Sequence, residues 1–183
     1  VEGGVETAMP MPRAFQGKLS PDGNRVAYRM PSSWDEERRN YRGGQNRAIW
    51  IMDLSSHEVQ TPSWTDSKDI DPAWIGDVVY FLSDRGPSMR ANIWALDLGS
   101  GAGRQVTHFT DFDITFPAIG PSEIVFQAGG RLHLLGLDDE TVTEVEVEVV
   151  TDLAGVRPRQ VNAAGLIQWS DISPSGKRAF FEA

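Results

Sequence analysis

The run DEERRNYRGGQNR, Asp35 to Arg47, holds three acids and then four arginines. Arg38 and Arg39 are the adjacent arginine pair of the chain. A guanidinium is a planar fork of donors that grips a carboxylate through two parallel bonds. Two of them side by side could hold a carboxylate in a fixed register. The same arginines could instead pair with Asp35, Glu36 and Glu37 in a solvated loop, where each exposed pair contributes about 0–1 kcal/mol. Residue types alone leave both readings open.

The other reactive residues point to less. His108, Asp111 and Asp113 in THFTDFD have the types of a metal site, which needs several oxygens or imidazoles to converge. Spacing offers a plainer account: Asp111 stands six residues before Pro117, as Asp66 stands six before Pro72, so both acids serve one repeated turn. His57 is isolated, and His133 falls in an apolar run and reads as a packing residue. No nucleophile stands beside a base, and no Gly-x-Ser-x-Gly elbow is present. With no cysteine, thiol catalysis and thiolate metal sites are excluded. No catalytic residue, metal or cofactor is expected.

The elements that must position these residues come from a repeat. LSPDGNRVAYR begins at Leu19, DPAWIGDVVYFL at Asp71, FPAIGPSEIVFQ at Phe116 and ISPSGKRAFFEA at Ile172. Each carries a proline near a short turn and then an alternating apolar run. Between them lie AIWIMDL (48–54), NIWALDL (92–98) and RLHLLGL (131–137). A unit of this length, built of short strands and tight turns, is a β-propeller blade. Asp22-Gly23, Gly76-Asp77 and Ser175-Gly176 supply the hairpin geometry that needs positive φ. The expected fold is all-β, with about three to four blades of four antiparallel strands, half of a six-bladed ring. The blades fall at about 17–69, 70–113 and 114–170. A partial blade occupies 171–183, and residues 1–16 form an outer strand of a neighbouring blade.

Within that frame Asp69 and Asp71 open an innermost strand. They could line a central channel, but the favoured reading is that they cap a turn. Trp50 and Trp94 hold equivalent repeat positions and should fill space between blades. Trp34, in the charged loop, could face a channel. TVTEVEVEVV (141–150) alternates strictly and reads as a half-buried outer strand with a charged face.

Composition bounds the rest. A 40% hydrophobic, 23% charged chain is globular. A net charge of −9 argues against nucleic-acid or anionic-membrane partners, which need a basic face. Cysteine usage leaves the compartment open; the cytoplasm is the expectation, with the periplasm an alternative. Three blades do not close a ring. Either this is a piece of a longer protein or copies assemble, two arcs making six blades about a two-fold axis.

YRGGQNRAIWIMDL, WTDSKDIDPAWIGDVVYFLSDR and SPSGKRAFFEA resemble the N-terminal propeller of tricorn-type proteases, over about Pro12 to Ala183. The SPDG turn is less specific and also resembles TolB-like and prolyl-peptidase-like propellers. The resemblance implies a non-catalytic segment of a serine peptidase that guides or anchors peptides toward an active site in other domains. It also implies that Arg38 and Arg39 anchor the C-terminal carboxylate of a bound peptide. A charge-assisted bond of that kind is worth about 1.5–3 kcal/mol. Arg42 reads as structural, bracing the Gly43-Gly44 turn. The partners implied are peptides with a free C-terminal carboxylate, and either further protease domains or a second copy of the chain. The alternative is a stand-alone TolB-like interaction module, as a homodimer of two arcs.

Overall fold

The computed structural model describes residues 4–5, 8–11, 13–31, 40–44, 46, 48–61, 66–151 and 154–182. These form two compact units, Val1–Val147 and Glu148–Ala183. The first unit holds three four-stranded antiparallel meanders. Sheet one is β1 (Phe15–Leu19), β2 (Arg25–Arg29), β3 (Ile49–Asp53) and β4 (Val59–Gln60). Sheet two is β5 (Asp69–Ile75), β6 (Val78–Ser83), β7 (Asn92–Asp97) and β8 (Gly103–Gln105). Sheet three is β9 (Ile114–Ile119), β10 (Glu123–Ala128), β11 (Arg131–Gly136) and β12 (Val142–Val145). In the second unit β13 (Trp169–Ile172) and β14 (Ala179–Glu182) form a hairpin. There is no α-helix among the described residues. This is the all-β, blade-by-blade architecture expected from the repeat.

β6 shows why the blades stack. Its residues alternate between two cores: Val79 and Phe81 face sheet one, and Tyr80 and Leu82 face sheet three. A strand buried on both faces reads as a continuous apolar run rather than an alternating one, and VVYFL is such a run. Val79 and Phe81 meet Ala27, Ile49 and Ile51, with Trp74 and Trp94 filling the same interface. Tyr80 and Leu82 meet Ile114, Ile124, Phe126 and Leu135. Trp94 thus packs between blades, as the repeat predicts. Its counterpart Trp50 packs on the far face of sheet one with Val26, Tyr28 and Met52.

The turns follow their residues. Gly23, Gly76 and Gly176 take φ of 71°, 57° and 68°, which a Cβ would disfavour. The repeat prolines divide into two kinds. Pro72 and Pro117 lie inside β5 and β9, whereas Pro21 and Pro174 lie in the turns after β1 and β13. The place of Pro72 and Pro117 is taken in the first blade by Gly17. Phe15 and Gln16, assigned by spacing to a neighbouring blade, begin β1 itself. The alternation of 141–150 also outruns its strand. β12 ends at Val145, and Val147, Val149 and Val150 are exposed. Glu144 does lie on an exposed face, where it pairs with Arg131.

Candidate functional site

β1, β5 and β9 are each the edge strand of their sheet. A cleft of ≈ 580 Å³ runs along these edges, lined by Gln16, Lys18 and Leu19 of β1, Asp71, Pro72 and Trp74 of β5, and Pro117, Ala118 and Ile119 of β9. A proline in an edge strand forfeits no central ladder bond and blocks strand addition there.

All three edge strands carry the same irregularity. Pairing shifts register between Phe15 and Lys18, between Ile70 and Ala73, and between Thr115 and Ala118. In each, two residues oppose one, which is a β-bulge. The first bulged residues are Gln16, Asp71 and Phe116, at φ of 53°, 52° and 52°. The single residue opposite is a buried aromatic each time: Tyr28, Phe81 and Phe126. The bulged residues of the first two blades, Gln16 and Asp71, line the cleft, and at the third blade the lining begins one residue on, at Pro117.

At the first two blades that place is polar. The Gln16 amide donates to Asp71 Oδ1. Arg29, at the end of β2, donates from Nε to Gln16 Oε1 at 2.6 Å. Burial pushes the Asp71 carboxyl up from its ordinary value, and Arg29, the Gln16 bond and the nearby lysines oppose that rise. The Trp74 indole N–H donates to the Lys18 carbonyl at 2.8 Å, which fastens the edges of blades one and two. At the third blade the equivalent residue is Phe116, 79% exposed.

The two acids of DIDPAW have different roles. Asp71 lies on the cleft wall. Asp69 is buried and structural: its carboxylate accepts from Ser67 Oγ at 2.8 Å, Ser83 Oγ at 2.6 Å and Arg85 Nη2 at 2.5 Å. Arg85 in turn lies over Phe81 and Trp94, 5.2 Å from each ring. Expecting both acids to cap turns therefore holds for neither in full, since Asp71 contributes to the wall.

Arg38, Arg39 and Trp34 lie outside the described residues. The segment leaves from Arg29, Met30 and Pro31 and re-enters at Asn40. Beyond it, Arg42 reaches Asp84 of the next blade, through Oδ2 and the carbonyl, both at 2.8 Å. Asn46 Nδ2 donates to the carbonyls of Tyr41 and Asp66, at 2.5 and 2.6 Å. Arg42 is a brace, as expected, but its partner is the neighbouring blade. Among the described residues no three His, Asp or Glu converge as a metal site. Asp113 instead accepts the Ala91 N–H at 2.8 Å. His133 is buried, stacked on Phe126 at 5.3 Å.

Sequence reasoning overlooked Gln16 and Phe116. The signal was partly there, in Asp71-Pro72 and Phe116-Pro117 at equal places in the repeat. Gln16-Gly17 lacks the proline that would have aligned it.

Comparison with known proteins agrees with this architecture. Residues 1–141 match the family model described as the tricorn protease N-terminal beta propeller domain. The chain is 29% identical over 124 residues to a tricorn protease homolog of Saccharolobus solfataricus (strain ATCC 35092 / DSM 1617 / JCM 11322 / P2), covering 68% of this chain and 11% of that protein. It thus spans about a tenth of that relative. Among solved structures it resembles the tricorn protease, with a TM-score of 0.59 and 24% identity over 71% of this chain and 12% of that one. It also resembles a putative TolB from Agrobacterium tumefaciens, with a TM-score of 0.54 and 20% identity over 69% of this chain and 46% of that one. At these identities the structural likenesses show the fold alone.

Proposed function

The chain belongs to the family of tricorn protease N-terminal β-propeller domains, and from that premise we propose that it is a non-catalytic peptide-guiding segment of a longer serine peptidase. Peptides run along the cleft edged by β1, β5 and β9, and Arg38 and Arg39 hold the C-terminal carboxylate. The bond-making chemistry belongs to other domains. The observation that carries this reading is the single cleft that runs along the edge strands of all three blades, with the bulged residues Gln16 and Asp71 of the first two on its wall. Arg29 adds support. It brings a guanidinium beside the cleft through Gln16.

The test is a double charge reversal, Arg38→Glu with Arg39→Glu. Binding of peptides with a free C-terminus should weaken at least tenfold, one charge-assisted bond or more. Binding of the same peptides amidated should not change. Equal losses for both forms would remove the anchor.

One observation favours a second reading, a propeller closed by two copies. On sheet three, Val125 pairs with Leu134 and Leu132 with Val145. These residues alternate with those packed on sheet two, so their face is turned away from that core and only half-buried or exposed. A mass near 40 kDa by light scattering, twice the 20.2 kDa chain, would support the closed pair. A monomer would exclude it.

A further inference from the structure

The seam between blades one and two is closed differently from the seam between blades two and three. Trp74 and Ile119 hold equal places in their edge strands, opposite Val79 and Ile124. Each packs toward the blade before it. Trp74 lies in the core shared with Ala27 and Ile49 of sheet one, and its indole reaches the Lys18 carbonyl of β1. Ile119 lies against the core that holds Leu82 and Ile93 of sheet two. An isoleucine is smaller than a tryptophan and has no polar atom to bond across the seam. Where the indole closes the first seam, a recess of ≈ 20 Å³ is left in the second. Leu82, Ile93 and Ile124, all buried, form its inner wall. Asp71, Ala73, Pro117 and Ile119 line both the recess and the cleft, so the recess is a side chamber of the cleft.

We propose that this recess is a side-chain subsite of the cleft, and that it takes the methyl group of an alanine in an extended peptide. The inference rests on the peptide-guiding reading and adds which residue the peptide must carry. A space of this size holds about one water or one methyl group. Leu82, Ile93 and Ile124 offer a water no hydrogen-bond partner, so replacing it with an apolar group gains affinity. Asp71 supplies the carboxyl of the lining, and its Oδ1 already accepts from Gln16. Selection in the recess is therefore by shape and by apolar area removed from water. A strand-shaped ligand suits walls that are themselves strand edges. An extended chain turns every second side chain to one side, so a single recess reads a single position.

The test uses two substitutions of Ile119 in the full chain. Ile119→Val removes one methyl group and lengthens the recess, and Ile119→Phe fills it. Short peptides with a free C-terminus, carrying Gly, Ala or 2-aminobutyrate at one position in turn, are titrated by calorimetry. Wild type should bind the Ala peptide about fourfold tighter than its Gly partner at one position, with no further gain from 2-aminobutyrate. In Ile119→Val the same position should gain about fourfold more from Ala to 2-aminobutyrate. In Ile119→Phe the preference for Ala over Gly should fall below about twofold. Preference for Ala that survives Ile119→Phe would overturn the proposal. So would a gain from 2-aminobutyrate that is equal in wild type and Ile119→Val. An Ile119→Phe chain that does not fold would overturn it as well, because the seam would have no room to fill. Wild type that binds free-acid peptides without preferring Ala anywhere would overturn it and leave the guiding role intact. Wild type that binds no peptide would remove both.

Discussion

Arg85→Met tests whether the cleft wall is held by a buried ion pair. Asp69 begins β5, two residues before the wall residue Asp71. Its side chain is 0% exposed and that of Arg85 10%, so water screens the pair little. Methionine keeps much of the apolar contact with Phe81 and Trp94 but removes the charge. Asp69 would keep its bonds from Ser67 and Ser83 and lose its counter-ion. Breaking one side of a buried pair costs about 3–5 kcal/mol. Two rings at 5.2 Å add the loss of a cation–π contact, about 0.5–2 kcal/mol. At about 2–4 °C per kcal/mol for a domain of this size, the combined loss of about 3.5–7 kcal/mol should lower the melting temperature by roughly 7–28 °C.

The pH dependence separates this account from simple loss of packing. Burial already pushes the Asp69 carboxyl up, and Arg85 is the foremost influence holding it down. Without Arg85 the native state binds that proton more tightly than the unfolded chain does. Stability then rises as pH falls from the raised native value toward the unfolded value of 3.8, because the native state takes up the proton. Urea midpoints of Arg85→Met should therefore recover toward wild type between pH 7.5 and 4.5. The double variant Asp69→Asn with Arg85→Met should be more stable than the single variant at pH 7.5, with a coupling energy above about 1.5 kcal/mol. A loss below about 1 kcal/mol, the same at both pH values and additive in the double variant, would refute the reasoning.

Two further variants probe the edges of the blades. Trp74→Phe should lower stability by about 0.5–1.5 kcal/mol in urea titration, since it leaves the Lys18 carbonyl without its indole donor; no change would mean water replaces that bond. Asp53 accepts from the Ser55 hydroxyl at 2.6 Å and from the backbone N–H groups of Ser56 and Ser55 at 2.9 and 2.8 Å, and these turn contacts hold its carboxyl down at about 2. Its contribution is full above an unfolded value of 3.8 and is lost as pH falls toward 2, so Asp53→Asn should flatten the acid arm of the stability profile in that window alone.

Much of the fold was legible because the core repeats. VVYFL announces a strand buried on both sides, and Ile124, Phe126 and Leu135 repeat the pattern of Val79 and Phe81 one blade on. Each blade supplies the same evidence again, so a weak strand such as β4, two residues long, does not obscure the architecture. What misled were marks that look alike but serve different geometry. Pro21 and Pro174 cap turns, while Pro72 and Pro117 stand in edge strands. TVTEVEVEVV alternates for ten residues but pairs only as far as Val145, opposite Leu132, because β11 begins at Arg131 and the Gly129-Gly130 turn before it offers no further partner.

The site was less legible for the opposite reason. A binding wall on a repeat scaffold consists of unlike residues at like places, and the unlike residues hide the alignment. Gln16, Asp71 and Phe116 share no chemistry. What they share is a left-handed backbone and an aromatic across the bulge. Tyr28, Phe81 and Phe126 are each the fourth residue of their strand, so the aromatic is the mark in the sequence that locates the bulge, two residues against one. In a chain of this kind the repeated aromatic finds the bulge, and the bulge finds the edge strand that borders the cleft.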